Sequence, residues 1–384
     1  MSFTYVKVTT LSPIYLDAFY AKHPGLDELS HAEQFARINE DAHFWADDIS
    51  RHLRGQGVDA HEILYNCDPL QQAWAREHGS QASGMDLLME QLRALRPDMV
   101  FLHVSYPLYK NLVGRVRSEV PTVRSIQGNI CVGFGKEHFP LFRSLDFVLT
   151  CDPGLCQRLK EAGANPYHIY HGFEHGRLPR VRDNAGHPER DVLFAGSLVM
   201  SDHYHLRRRE ALSRLVDLGV DLDILCNPVE VRHQTPDSLR PRMRPGLYGI
   251  EMLRALSRAR IVFNIHIDAV GGHASNLRLF EATGVGSCLV TDRQEDLGIL
   301  FQEDVEVAAY SSPEECAEKI RWLLDHPAER QAMAAAGQHR TLAEHRLEQR
   351  VELMHDMLHR ELARAPRRQG QAAMPGQPAP EVRP

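Results

Sequence analysis

An α/β fold built as two consecutive doubly wound halves facing a cleft is what this sequence predicts, and three observations predict it. The chain of 384 residues is too long for one compact core of ordinary size. Short apolar runs alternate with amphipathic stretches of helical spacing, the pattern of parallel strands joined by helices. That alternation stops between residues 171 and 190, in a stretch with Pro179, Pro188 and dense charge, and then restarts.

In the first half, residues 5–11 read as a strand. Residues 26–56 read as mostly helical, closed by Gly57 as a residue of the helix C-terminal type. Strands are expected over 58–64, 99–105, 122–126, 147–151 and 167–170, with helices over 85–95 and 155–162. In the second half, strands are expected over 191–195, 221–226, 261–266 and 287–291. Helices are expected over 204–218, 249–257, 276–283 and 313–324, and mostly over 328–362, with a Pro- and Arg-rich loop at 227–246. The division reads as residues 1–175, a linker at 176–190, a second unit at 191–364 and a disordered Pro/Gln/Gly/Ala tail at 365–384.

The composition fits a globular protein: 43% apolar and 25% charged residues, with a net charge of −7. That charge argues against a general nucleic-acid surface. Seven cysteines, with no CxxC pair and several beside apolar runs, read as reduced thiols in a reducing compartment, so a cytoplasmic location is expected. The start MSFTYVKVTT lacks the basic and apolar regions of a signal peptide, and no apolar run approaches eighteen residues.

Chemistry concentrates in NIHIDAVGGHASNLRLFEATGVGSCLVTD, residues 264–292. A strand feeds a loop with Gly271 and Gly272, which enters a short helix near Ser275 and Asn276. A helix start presents unpaired N–H groups and positive dipole charge, which suit a pyrophosphate. Ser275 is placed to cap it. Glu281, about two turns in, suits a ribose diol, because a carboxylate accepts two hydroxyl hydrogen bonds. Arg278 and Glu281, three apart on one face, read equally well as a local ion pair. A second group is Phe194-Ala195-Gly196-Ser197 followed by Arg207, Arg208 and Arg209. Consecutive arginines diverge around a helix, so at most one or two reach a common point, with Arg207 and Arg208 nearest its start.

The run NLRLFEATGVGSCLVTD, then a helix after SSPEE, then HPAERQAMAAAGQHRTLAEH, resembles the C-terminal domain of group 1 glycosyltransferases, nearest the CgeB-like (spore maturation protein) branch. The resemblance spans about residues 191–360 and is clearest over 261–340. It implies a GT-B fold of two Rossmann-like domains, with residues 1–175 on the acceptor side and a nucleotide diphosphate sugar donor held by residues 191–364. It gives Glu281 the donor ribose, places Gly196 and Ser197 under the donor, and assigns diphosphate neutralisation to Arg207 and Arg208. It adds Gly272, Ser275, Asn276 and Arg278 as donor neighbours. Many relatives carry, eight positions before Glu281, another glutamate that contacts the sugar or the phosphates; this chain has His273 there, which reads as a catalytic hydrogen-bond partner for a phosphate or sugar hydroxyl, or as a solvent-facing loop histidine. The resemblance also implies retention of configuration, with no metal and no cofactor beyond the sugar donor. Catalysis would then rest on orienting the donor and stabilising the departing diphosphate. The acceptor stays open: glycan, lipid-linked saccharide, protein or small molecule.

The first half carries a thinner signal. His103, at an expected strand end in HVSYP, reads as a polar group beside the sugar or as a core histidine. The loop Gln127-Gly128-Asn129, with Gly133 and Gly135, reads as a cleft wall or as turns. There is no GxGxxG after the first strand, no phosphate-loop lysine motif and no GxSxG elbow. Asp221-Leu222-Asp223, at a strand start, reads as structural, and no histidine spacing suggests zinc. Two further readings remain: a sugar-nucleotide epimerase of the same architecture, and a non-catalytic nucleotide-sugar-binding protein. Peripheral docking at a bilayer stays open.

Overall fold

A computed structural model describes residues 3–43, 47–182, 190–198, 205–226, 235–267, 272–274 and 276–365. The first sheet comprises β1 (Thr4–Thr9), β2 (Asp59–Leu64), β3 (Met99–His103), β4 (Ser125–Asn129), β5 (Phe147–Thr150) and β6 (Pro166–His168). Its six strands run in the order β2-β1-β3-β4-β5-β6, all parallel. Successive side chains go to opposite faces. Val6, Val8, Val100, Leu102, Ile126 and Val148 enter one core, and Tyr5, Met99, Phe101 and Phe147 enter the other. Two buried faces require helices on both sides, so these strands read as continuous apolar runs.

The second sheet comprises β7 (Arg190–Ala195), β8 (Leu222–Cys226), β9 (Met243–Pro245), β10 (Ala259–Asn264), β11 (Cys288–Asp292) and β12 (Ala308–Tyr310). Its order is β12-β11-β10-β7-β8-β9, again all parallel. Read from β9, this is the strand order of dinucleotide-binding sheets, with the reversal between β7 and β10. The reversal in the first sheet lies between β1 and β3. Open α/β sheets take ligands at such points, beyond the carboxyl ends of the strands.

Several helices have a proline in the first turn, where the missing N–H costs nothing. That habit explains three elements the sequence reading missed. Helices Pro13–Lys22, Asp68–His78 and Tyr106–Glu119 each have Pro at the first or second position, and such residues look like breakers in a sequence. Strands β9 and β12 were also missed, because three residues are too few to show periodicity. The expected helix at 26–56 is divided into a 3-10 turn, Leu26–Glu28, and the helices His31–Asp41 and Asp48–Gly55. Ala42 ends the first of these helices in the left-handed region, at φ 58°.

The expected helix at 328–362 is also two, Pro327–Glu344 and Leu347–Arg364. His345 breaks it: its ring donates to Leu300 O at 2.7 Å, and its carbonyl accepts from Phe173 N at 2.8 Å. Beyond this corner the chain returns to the first sheet. Leu347, Val351, Met354 and Leu358 pack with Tyr5, Phe101 and Phe147, and Arg124 Nη2 donates to Leu362 O at 2.7 Å. Residues 347–364, expected within the second unit, thus pack their apolar stripe into the first core. In the expected linker, Leu178–Arg182 form a short helix, and residues 183–189 lie outside the described residues, as does the tail from 366.

Candidate functional site

Where β7 and β10 part, the second sheet holds a cavity of ≈ 270 Å³ lined by Gly196, Ser197, Arg208, Asn264, Asn276, Arg278 and Glu281. It adjoins a groove of ≈ 440 Å³ bounded by Leu247, Tyr248 and Met252, with Ser12, Ile14 and His43 from the first half. Six of the residues singled out in the sequence therefore share one cavity. The loop Gln127-Gly128-Asn129, expected as a cleft wall, does not line it; from the first half His43 does, while Ser12 and Ile14 bound the groove.

The helix Leu277–Gly284 starts at this cavity, and Asn276 caps it. Asn276 Oδ1 accepts from Arg278 N at 2.8 Å, while its Nδ2 donates to Asn264 Oδ1 at 2.8 Å. Asn264 in turn donates to Thr291 Oγ1 at 3.0 Å, so the cap is tied to the ends of β10 and β11. Asn276 thus replaces Ser275 as the cap; Ser275 and Gly271 lie outside the described residues. Gly272 has φ +87°, a conformation that favours glycine, and its carbonyl accepts from Glu295 N at 2.9 Å. It does not line the cavity.

Glu281 is buried in the cavity wall and accepts from Arg278 Nη1 at 2.7 Å. Burial pushes its carboxyl above the usual range, against the pull of Arg278 and then Arg177. Arg278 Nε also donates to Ala195 O at 3.1 Å, which fixes the guanidinium at the end of β7. The ion pair and the cavity wall are therefore one arrangement. Each requires the other, because an unpaired carboxylate at this depth would be costly.

The arginines separate by about 100° per residue around their helix. Arg208 is buried and donates to Ser197 O at 2.9 Å and Ile265 O at 2.8 Å, joining the segments after β7 and β10. Arg207 does not line the cavity. Its side chain is 52% exposed and lies 3.8 Å from the Asp292 carboxylate. Burial alone would push Asp292 up, but the His266 ring and N–H, at 2.7 and 3.0 Å, together with Arg207 hold it below the usual range.

His103 ends β3, with Nδ1 3.2 Å from Thr9 Oγ1. Burial, then Lys7 and His171, push it down to about 3, so its ring is neutral at physiological pH. His273 stands at the junction of the two halves: its Cδ2 lies 3.0 Å from where a Cβ on Gly154 would sit, and its Nδ1 is 3.7 Å from the Asp296 carboxylate. Neither histidine lines the cavity. Asp221 pairs with Arg242 at 2.5 Å, and Asp223 lies within β8.

The sequence reading missed Asn264, His266, Asp292, His43 and Tyr248. The first three sit at or just past strand ends beside the reversal, a position that could have found them. His43 comes from the other half, with its ring 4.0 Å from Tyr15 and 5.3 Å from Tyr248. Burial, then Arg177, push it to about 4.

Residues 207–356 match the family described as Glycosyl transferase-like. Over nearly its whole length, the chain is similar to HepE from Anabaena solved in complex with UDP and glucose, with a TM-score of 0.61 and 12% identity, covering 93% of this chain and 100% of that one. The fold is GT-B. A sucrose-phosphate synthase from Thermosynechococcus elongatus shares this GT-B architecture, with a TM-score of 0.59, 11% identity and coverage of 94% and 99%. A putative UDP-N-acetylglucosamine 2-epimerase from Listeria monocytogenes is also similar, with a TM-score of 0.52, 12% identity and coverage of 96% and 98%. No curated protein matches the sequence.

Proposed function

We propose that this chain transfers a sugar from a nucleoside diphosphate sugar to an acceptor, with the donor seated in the cavity between β7 and β10. One observation carries the reading: the start of helix Leu277–Gly284, the Arg278–Glu281 pair and the Gly196-Ser197 turn converge on one cavity at the strand-order reversal. The Glu281 carboxylate is the acceptor group for a ribose diol, and bonding one would pull it back toward the charged form. The helix start, with Arg208 and Arg278, supplies fixed positive charge for the diphosphate. That charge matters most as the nucleoside diphosphate leaves, when negative charge builds on it. His103, outside the cavity, serves the sugar or acceptor side in this reading, and His273, also outside it, offers a hydrogen bond to a phosphate or sugar hydroxyl.

The family match over residues 207–356 and the UDP and glucose bound by HepE support the reading. Retention of configuration, independence from metal, a cytoplasmic setting and the CgeB-like branch belong to the same proposal. No helix among the described residues is long and apolar enough to cross a membrane.

Calorimetry with UDP, UDP-glucose and uridine tests the donor site. Binding of UDP and UDP-glucose is expected, with Glu281→Gln weakening both by about 1.5–3 kcal/mol per lost charge-assisted bond. Unchanged affinity in a folded E281Q chain would assign Glu281 to its ion pair alone. The likeness to the Listeria protein favours a second reading, epimerisation. Incubation with UDP-N-acetylglucosamine and no acceptor separates the two: an isomerised donor supports the epimerase, a hydrolysed or transferred sugar the transferase. Binding without turnover would indicate a nucleotide-sugar-binding protein.

A further inference from the structure

At the carboxyl edge of the first sheet, three side chains that the cavity does not use come together. Cys131 follows β4, Cys151 follows β5 and His171 follows β6, and their two sulfurs and a ring nitrogen all lie within 4.8 Å of one another. The Cys151 N–H donates to Cys131 Sγ at 3.2 Å, which holds that sulfur at the end of β5. A small cavity of ≈ 40 Å³ lies beside them, lined also by Asn129, Thr150 and Arg350. One water needs roughly 10–15 Å³ by this measure, so the cavity has room for a bound water.

We propose that Cys131, Cys151 and His171 form a site for a thiophilic divalent cation, zinc(II), with the fourth coordination position open to the adjoining cavity. Two thiolates and an imidazole are a preferred zinc donor set. Zinc–ligand bonds of about 2.0–2.3 Å place tetrahedral donor atoms roughly 3.5–3.8 Å apart, so modest side-chain rotation closes the site. The two thiols each lose a proton as the metal enters: one zinc ion and two thiols give a neutral dithiolate complex and two protons in solution. Neutrality matters because Arg350 lines the same cavity and would oppose an added positive charge.

The surroundings fit this chemistry. Burial, then Arg350 and His168, push His171 down to about 4, so the ring arrives neutral, as a ligand must be. The three residues are 20 positions apart in turn, which explains why no zinc spacing is visible in the sequence. The ligands repeat with the strand–helix unit of the sheet and not with a local turn. The site stands apart from the donor cavity and does not depend on the transferase reading.

The test uses the full reduced chain after chelator treatment, with cobalt(II) as the spectroscopic probe. One equivalent should bind and give a thiolate-to-cobalt charge-transfer band that zinc displaces, with two protons released per metal. Cys131→Ser and Cys151→Ser should each abolish the band. A second measurement needs no variant: stoichiometric zinc should slow alkylation of the half-buried Cys131 at least tenfold, read by peptide mass. Absence of the band, its persistence in both variants, or an unchanged rate at Cys131 would overturn the site.

Discussion

The two sheets share strand number, direction and double-sided burial, yet their reversal points are filled differently. In the first sheet, Thr9 and His103 close the β1/β3 reversal against each other. Beneath them lies the buried pair Lys7–Glu62, with Nζ 3.0 Å from Oε1 and Ser50 Oγ donating to the same oxygen at 3.0 Å. In the second sheet, glycine and asparagine stand at the corresponding place, and Arg208 spans the gap through backbone carbonyls, which leaves a cavity. Topology therefore provides a crevice in both halves, and side-chain size and pairing decide which one stays open.

Breaking the closed side should give the largest effect. Lys7→Met leaves Glu62 buried without its cation, and loss of one partner of a buried pair costs about 3–5 kcal/mol. Chemical denaturation should show that loss, while UDP affinity of the folded fraction stays as in the parent chain. A matching loss of affinity would mean that the two sides are one cooperative unit. On the open side, Arg278→Ala removes the partner of Glu281 and the clamp on Ala195 O. UDP affinity should fall at least about tenfold, since hydrogen bonds to charged groups are worth about 1.5–3 kcal/mol. Retained affinity would show that Arg278 only balances Glu281.

Acid titration sharpens the comparison further. Burial, against the pull of Lys7, raises Glu62 from 4.5 to about 7, so the folded chain binds a proton more tightly than the unfolded one. Stability should therefore fall as pH rises from about 4.5 to about 7, and Glu62→Gln should flatten that limb. Glu174, between the halves, behaves oppositely. Burial pushes it up, but His52, Arg51 and the Gly176 N–H hold it down at about 2. Its contribution is complete above pH 4.5 and is lost as pH falls toward 2, a limb that Glu174→Gln should remove. Stability curves of the two variants against the parent chain check both signs. The smallest effect is expected from Arg207→Ala. This half-exposed residue misses the cavity, so UDP affinity should change by less than about 0.5 kcal/mol. A larger loss specific to the diphosphate would place Arg207 at the phosphates.

What could be read in the sequence was local. Glycines, small residues and the Asn276–Glu281 segment mark a helix start beside a strand end, and those contacts span few residues. The run from 249 to 257 is helical as expected, because its apolar spacing faces one core without interruption. Helices opening on proline were hidden, because the same residue that ends a helix interior suits its first turn.

Sequence alone thus determined the α/β class, the single restart of the pattern and the cluster around Glu281, since periodicity and helix starts are properties of neighbouring residues. Tertiary structure decided the rest. It put Arg208 in the cavity wall and left Arg207 outside it, because a single residue step rotates a side chain by about 100°. It sent helix Leu347–Arg364 back to the first sheet, where its apolar stripe packs with Tyr5, Phe101 and Phe147. It brought His43 to the cavity and set Cys131, Cys151 and His171 side by side, because strand order in a sheet makes neighbours of residues that the chain keeps far apart.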